Sequence, residues 1–165
     1  MTVVLRPAAD PDLSAIGALH YRSRRDAYAG LFSPAALDFG SPEALGEWWA
    51  ERWRWERETH RLTVAGVDGE LVGFTYLGPT PEPGVTELYA IHVAPQWVGR
   101  GVGRELMEDA LRHLGDRAVL WVIAGNTRAQ RFYERGGWAP DGTTRDVPMG
   151  EGTAHQLRYS HRPEQ

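Results

Sequence analysis

The chain has 165 residues with no cysteine, and its 18 basic residues are all arginine. That composition excludes disulfide frameworks, cysteine-ligated zinc, thiol nucleophiles, Schiff-base lysines and a Walker-type loop, which needs lysine. A formal net charge of -4 and a pI near 5.9 argue against nonspecific nucleic-acid binding, and no apolar run approaches the ~20 residues that span a bilayer.

Met1 to Asp10 shows no charged, then apolar, leader pattern, so a cytoplasmic protein is expected. Thr2 to Arg6 predicts a strand. Asp10-Pro11 predicts a helix start, and Leu13, Ile16, Leu19, His20, Ala27 and Tyr28 follow at helical spacing. After a loop through Leu31 to Gly40, a second helix is predicted from Pro42 to Glu56. Leu45, Trp48, Trp49, Trp53 and Trp55 share one side of it.

Asp68-Gly69 between Arg61–Val67 and Glu70–Leu77 is a type I′ hairpin signal. A Pro/Gly loop precedes a strand at Thr86–Val93. Ala94 to Gly103 predicts a turn opening into a helix through Leu114. Ala118–Ile123 predicts a strand buried on both sides, Asn126–Arg135 a helix ended by Gly136-Gly137, and Ala154–Ser160 a last strand. Antiparallel hairpins ahead of a βαβ crossover predict one α/β domain over residues 1–165, a mixed sheet with helices on both faces.

Gly99-Arg100-Gly101-Val102-Gly103-Arg104 follows a strand and opens a helix. Glycines at alternate positions let main chain approach an anion, and the free N–H groups of a first helical turn point at it. The dinucleotide fingerprint G-x-G-x-x-G fails on spacing, because Arg104 or Leu106 stands at the third glycine. A second constellation runs from Asn126 to Trp138, with Asn126 at a helix N-cap and Ala129, Phe132, Tyr133 and Gly136 on one face. Phe132 suits a core position as well as a ligand contact.

Together the two segments resemble the GNAT superfamily of acyl-CoA-dependent N-acetyltransferases. There a strand ends at a [QR]-x-x-G-x-[GA] phosphate loop, and an N-x-x-A-x-x-F-Y-x-x-x-G-[FW] helix follows the next strand. The corresponding segments here are Glu87–Val93, Val98–Gly103 and Asn126–Trp138. The resemblance implies a mostly antiparallel sheet, splayed at the cofactor-binding strand, and acetyl-CoA as acyl donor with no metal. It assigns the pantetheine arm to main chain at Ile91, His92 and Val93, and the pyrophosphate to Val98, Gly99, Arg100, Gly101, Val102, Gly103 and Arg104. Asn126 would reach the cofactor near its pantetheine, and Phe132 is counted among the cofactor-binding candidates.

The same resemblance makes Tyr133 the acid beside the departing thiolate. Glu87, 14 residues before Gly101, matches the catalytic glutamate of histone-modifying members. A base is needed because an alkylamine of pKa about 10.4 arrives protonated. His92 and water are the alternatives. Strict alternation puts Glu87 on the face of Ile91 and Val93 and His92 on the other, unless a bulge intervenes. Two departures stand out: Val98 replaces the usual Gln or Arg, and Ala124 stands where many members have an acid.

Superfamily precedent implies that the first two helices form the acceptor pocket, here with Tyr28, Trp48 and Arg52 as candidates, although a tryptophan-rich helix is also well suited to simple packing. The expected activity is direct transfer of acetyl to a primary amine of a small molecule or peptide, since no cysteine is present to carry a covalent thioester. A longer acyl-CoA, an acyl-carrier-protein donor, or a noncatalytic acyl-CoA-binding module are the other readings. Edge strands near the C-terminal end make a homodimer an expectation.

Overall fold

Alternating strand patterns and two amphipathic helix pairs build one mixed sheet covered on both faces. The computed structural model describes residues 2–37 and 40–162; Asp38 and Phe39, in the loop expected after Leu31, lie outside them. The elements are β1 (Val4–Pro7), α1 (Leu13–Tyr28), α2 (Pro42–Glu56), β2 (Arg61–Val67), β3 (Glu70–Pro79), β4 (Val85–Val93), α3 (Val102–His113), β5 (Arg117–Ile123), α4 (Thr127–Arg135), β6 (Ala139–Met149) and β7 (Gly152–His161). Strand order is β1-β2-β3-β4-β5-β7-β6, and only the β4–β5 pair is parallel.

Local chemistry accounts for the joints. Asp68 and Gly69 have φ of 51° and 81°, as a type I′ turn requires. The Ser41 hydroxyl accepts the Ala44 N–H (3.0 Å) and Asn126 Oδ1 accepts the Ala129 N–H (3.2 Å), capping α2 and α4. On one face Leu13, Ile16, Leu19 and Trp49 pack on Leu62, Val64, Phe74 and Tyr76. On the other, α3 sets Val102, Leu106, Met107 and Ala110 against strand residues such as Val72, Leu77, Leu88 and Leu120.

Three expectations are corrected. Asp10–Asp12 forms a separate 3-10 turn, and α1 begins at Leu13. Here it is Asp12, not Asp10, that holds the joint, accepting the Ala9 N–H at 2.8 Å and pairing with both terminal nitrogens of Arg6. The tryptophan side of α2 is not one buried face: Trp49 is 1% exposed, Trp48 46% and Trp55 73%. Finally, β6 forms the outer strand in a stretch to which the sequence assigned no element, so the C-terminal sheet edge is β6 rather than β7.

Helices α1 and α2 meet backbone to backbone at Gly17. A Cβ there would lie 2.2 Å from the Gly46 nitrogen, whereas a Cβ at Gly46 would meet its nearest atom at 3.4 Å. Gly17→Ala is therefore expected to destabilise by about 2–3 kcal/mol through overpacking. Gly46→Ala should be neutral or gain up to ~1 kcal/mol of helix propensity. Urea midpoints at unchanged slope check the contrast.

Candidate functional site

The sheet forks at its centre. β4 and β5 pair only through Val85–Arg117, Thr86–Ala118 and Glu87–Val119, after which β5 continues against β7 and β4 against β3. The side of β4 facing β5 is thus left without a strand from Leu88 to Val93, the stretch that holds Ile91, His92 and Val93. Free main-chain groups on such an edge match an extended, amide-bearing ligand.

Just beyond β4, the glycine-rich turn enters α3. Gly99 and Gly101 have φ of 80° and 87°, so both are there for conformation; nothing lies within 4 Å of a Cβ built on either. Gly103 serves a different need. Its Cβ would lie 3.3 Å from the Phe132 ring and 3.7 Å from Val93, so glycine lets α3, α4 and the end of β4 converge. The first main-chain bond of α3 runs from the Glu105 N–H to the Gly101 carbonyl (3.1 Å), leaving Val102, Gly103 and Arg104 N–H groups ahead of the first closed turn. Thr2, Val3, Arg100, Gly101, Arg104 and Glu105 line an open depression of about 310 Å³ there. Arg100 lies over the Trp97 ring at 5.0 Å, and Val98 is extended and 39% exposed.

Tyr133 enters the fork from α4. It packs with Leu88 and Met107 on the α3 side of the sheet, yet Tyr28 of α1, on the opposite side, acts on it electrostatically through the opening. Burial first, and Tyr28 second, raise the Tyr133 phenol above its ordinary value and keep it protonated. Among the described residues the Tyr133 hydroxyl has no hydrogen-bond partner. Asn126 spends its side-chain oxygen on the α4 cap, and the Phe132 ring fills the contact with Gly103.

A β-bulge decides where Glu87 points. Tyr76 pairs with Ala90 but Leu77 with Leu88, so Tyr89 is the extra residue. The alternation is broken there. Leu88 joins Ile91 on the α3 side, while Glu87, opposite Gly78, takes the face of Ala90 and His92. This corrects the alternation that grouped Glu87 with Ile91 and Val93. Burial raises the Glu87 carboxyl above its ordinary value, against the opposing pull of Arg145 and Arg52.

Residues 26–138 match the model of the Acetyltransferase (GNAT) family. The chain belongs to that family. Similarity to the "Probable N-acetyltransferase Rv2775" of Mycobacterium tuberculosis is 30% identity over 145 residues, 85% of this chain and 82% of the relative. A mycothiol acetyltransferase of Streptomyces griseus is 37% identical over 90 residues, 52% of this chain but only 28% of its own. The paia N-acetyltransferase of Thermoplasma acidophilum, solved in complex with coenzyme A, has the same fold, with a TM-score of 0.79 at 18% identity over 99% of this chain and all of the other. As a GNAT member, the chain is an acyltransferase enzyme.

On the α1–α2 face of the sheet lies a cluster around Arg52, a sequence candidate, in which Glu56, His60, Tyr76 and Tyr89 were not singled out by sequence patterns. Glu56 Oε1 accepts Arg52 Nε–H (2.6 Å) and the Tyr76 hydroxyl (2.7 Å), and its Oε2 lies 3.3 Å from His60 Nε2. The Arg52 guanidinium stands 4.7 Å from the Tyr76 ring, 5.1 Å from Tyr89 and 5.3 Å from Trp48. His60 stacks on Tyr76 and occupies the space a Gly78 Cβ would need, which explains glycine opposite Glu87. Three elements, α2, β3 and β4, and the loop before β2 contribute to the cluster. Tyr28 lies at the other end of the site, beside Arg24 and Phe32.

His92 sits in a histidine pair. Its Nδ1 is 3.0 Å from the Ser23 hydroxyl, its ring is 4.6 Å from that of His20, and His20 Nδ1 accepts the Trp49 indole N–H at 3.0 Å. Burial, aided by Arg24, lowers His20 to about 4; burial, His20 and Arg24 push His92 well below its ordinary value. In the unfolded chain both titrate near pH 6.5, so below that pH the unfolded state binds more protons. Their contribution is full above pH 6.5 and is lost as pH falls toward 4. Urea unfolding should show roughly 2 kcal/mol lost from His20 by pH 5, with a further loss from His92, and His92→Gln should remove that further loss.

Proposed function

We propose that this GNAT enzyme transfers the acetyl group of acetyl-CoA to a primary amine of a small molecule or peptide by direct attack in a ternary complex. The observation that carries the reading is the fork: β4 parts from β5 at Glu87, its unpaired edge runs to the α3 N-terminus, and Tyr133 stands in the opening. The residues present fit the donor. The exposed edge at Ile91 and Val93 offers main-chain partners for the amides of a pantetheine, and the N–H groups from Gly99 to Arg104, with Arg100 and Arg104 beside them, suit a pyrophosphate. A donor lacking the diphosphate would make no use of that turn, which favours coenzyme A over a carrier protein. The relative solved with coenzyme A supports the same donor.

Bound acetyl-CoA would supply the electrophilic thioester carbon, the new N–C bond forming as the C–S bond breaks. Glu87 lies on the acceptor face at the fork and receives a proton from the incoming ammonium or from a bridging water. Its raised pKa moves it toward the working pH, which is what a base needs. Tyr133 donates a hydrogen bond to the sulfur as charge develops. Because its phenol is a weaker acid than a thiol of pKa about 8.5, it stabilises the thiolate more than it protonates it. The same acid role requires it protonated throughout the working range, as burial ensures.

Two variants test the assignment. Tyr133→Phe should lower kcat by ~100-fold or more while changing acetyl-CoA affinity by no more than a few-fold; an undiminished kcat would contradict the role. For Glu87→Gln, the loss should be greatest near pH 6–7, where the amine is charged and needs a base, and should shrink as pH approaches about 10. A wild-type to variant ratio independent of pH would remove Glu87 as the base.

A further inference from the structure

Two guanidiniums act electrostatically on Glu87, and the two are mounted in the same way. Arg52 comes from α2 and Arg145 from β6, from opposite sides of the fork. Arg52 lies over the rings of Tyr76 and Tyr89, and Arg145 lies 4.0 Å over Trp121. Each is also fixed by one hydrogen bond through Nε: Arg52 to Glu56 Oε1 at 2.6 Å and Arg145 to Gln156 Oε1 at 2.7 Å. Among the described residues, the terminal amino groups of neither have a carboxylate or carbonyl hydrogen-bonded to them.

Register places these groups on one face. Glu87 pairs with Val119, and alternation along β5 puts Trp121 on the Val119 side, where the Arg145 guanidinium covers it. Both cations act electrostatically on Glu87. A stacked guanidinium held at Nε turns its two terminal N–H groups outward as a planar fork, the geometry that matches an oxyanion with two acceptor oxygens. The aromatic faces hold the side chains in place, so little freedom is lost on binding.

We propose that the acceptor is a small amine that also carries an oxyanion, its ammonium directed at Glu87 and its carboxylate, phosphonate or similar group at the Arg145 and Arg52 forks. Arg52 is already ion-paired with Glu56, whereas Arg145 has no ion pair among the described residues, so a plain cationic amine at Glu87 would leave the Arg145 guanidinium unmatched. A zwitterionic one meets each charge with its opposite. The inference rests on the acetyl-transfer reading of the same fork and adds the class of acceptor to it.

Matched amines test it: aminocarboxylates, aminoalkyl phosphonates and the corresponding uncharged carboxamides, assayed for acetyl-CoA-dependent thiol release and, separately, by calorimetry with the protein loaded with coenzyme A. The expected result is kcat/KM at least 100-fold higher for one oxyanion class than for the amides, and the two anionic arms identify whether carboxylate or phosphonate is preferred. Arg145→Gln should reduce that discrimination at least tenfold, mainly through KM, and Arg145→Lys should restore part of it. Arg145 lies on an exposed edge strand, so unfolding is not expected to confound the variant, and a thermal melt verifies this. Oxyanion amines that bind in an Arg145-dependent way without turnover would uphold the inference and overturn acetyl transfer. Amides turned over as well as or better than the acids, or discrimination unaffected by Arg145→Gln, would overturn the inference and leave acetyl transfer standing. No binding and no turnover with either anionic class would also overturn it.

Discussion

Three residues of parallel pairing between β4 and β5 set the organisation of the site. If the ladder continued past Glu87–Val119, the sheet would be closed, Tyr133 would be sealed from Tyr28, and β4 would have no free edge. Because β5 turns to β7 instead, a gap opens near the middle of the sheet, and both faces communicate there. The α3 N-terminus sits at one end of that gap and the Arg52–Glu56–Tyr76 cluster lies on its α1–α2 face.

Around the fork, small irregularities aim side chains. The Tyr89 bulge moves Glu87 from the α3 face to the face of α1 and α2. Gly78 gives up its side-chain volume to His60, and Gly103 gives up its own to Phe132. Gly17 lets α1 and α2 touch, which carries Trp48 and Arg52 to the same face as Glu87. Each of these is a local cost in conformational freedom or packing that positions a group elsewhere, and none is marked by hydrophobic periodicity.

Much of the architecture was legible because it is local. The Asp68-Gly69 turn, the caps at Ser41 and Asn126, the apolar face of α3 and the buried run of β5 are each written in a few adjacent residues. The glycine spacing at 99–103 and the Asn126–Trp138 pattern identified the family for the same reason. By contrast, β6 is exposed along nearly its whole length, contains Pro140 and Pro148, and is broken by Gly142 at φ 88°, so nothing in it resembles a buried strand. Arg52, Glu56 and His60 follow one another at i,i+4 spacing, but nothing in the chain links them to Tyr76, Tyr89 or Arg145, which come from separated strands. Glu87 was found by its distance from Gly101, but its face was misassigned because alternation cannot foresee a bulge.

The central claim is that the unpaired edge of β4 binds the acyl donor. Amide hydrogen exchange, resolved by residue and measured with and without coenzyme A, examines that edge directly. Binding should slow exchange at the β5-facing amides between Leu88 and Val93 and at Val102 to Arg104, with little change along the β2–β3 hairpin. Saturating coenzyme A that leaves both segments exchanging at their free rates, or protects only regions away from the fork, would contradict the account.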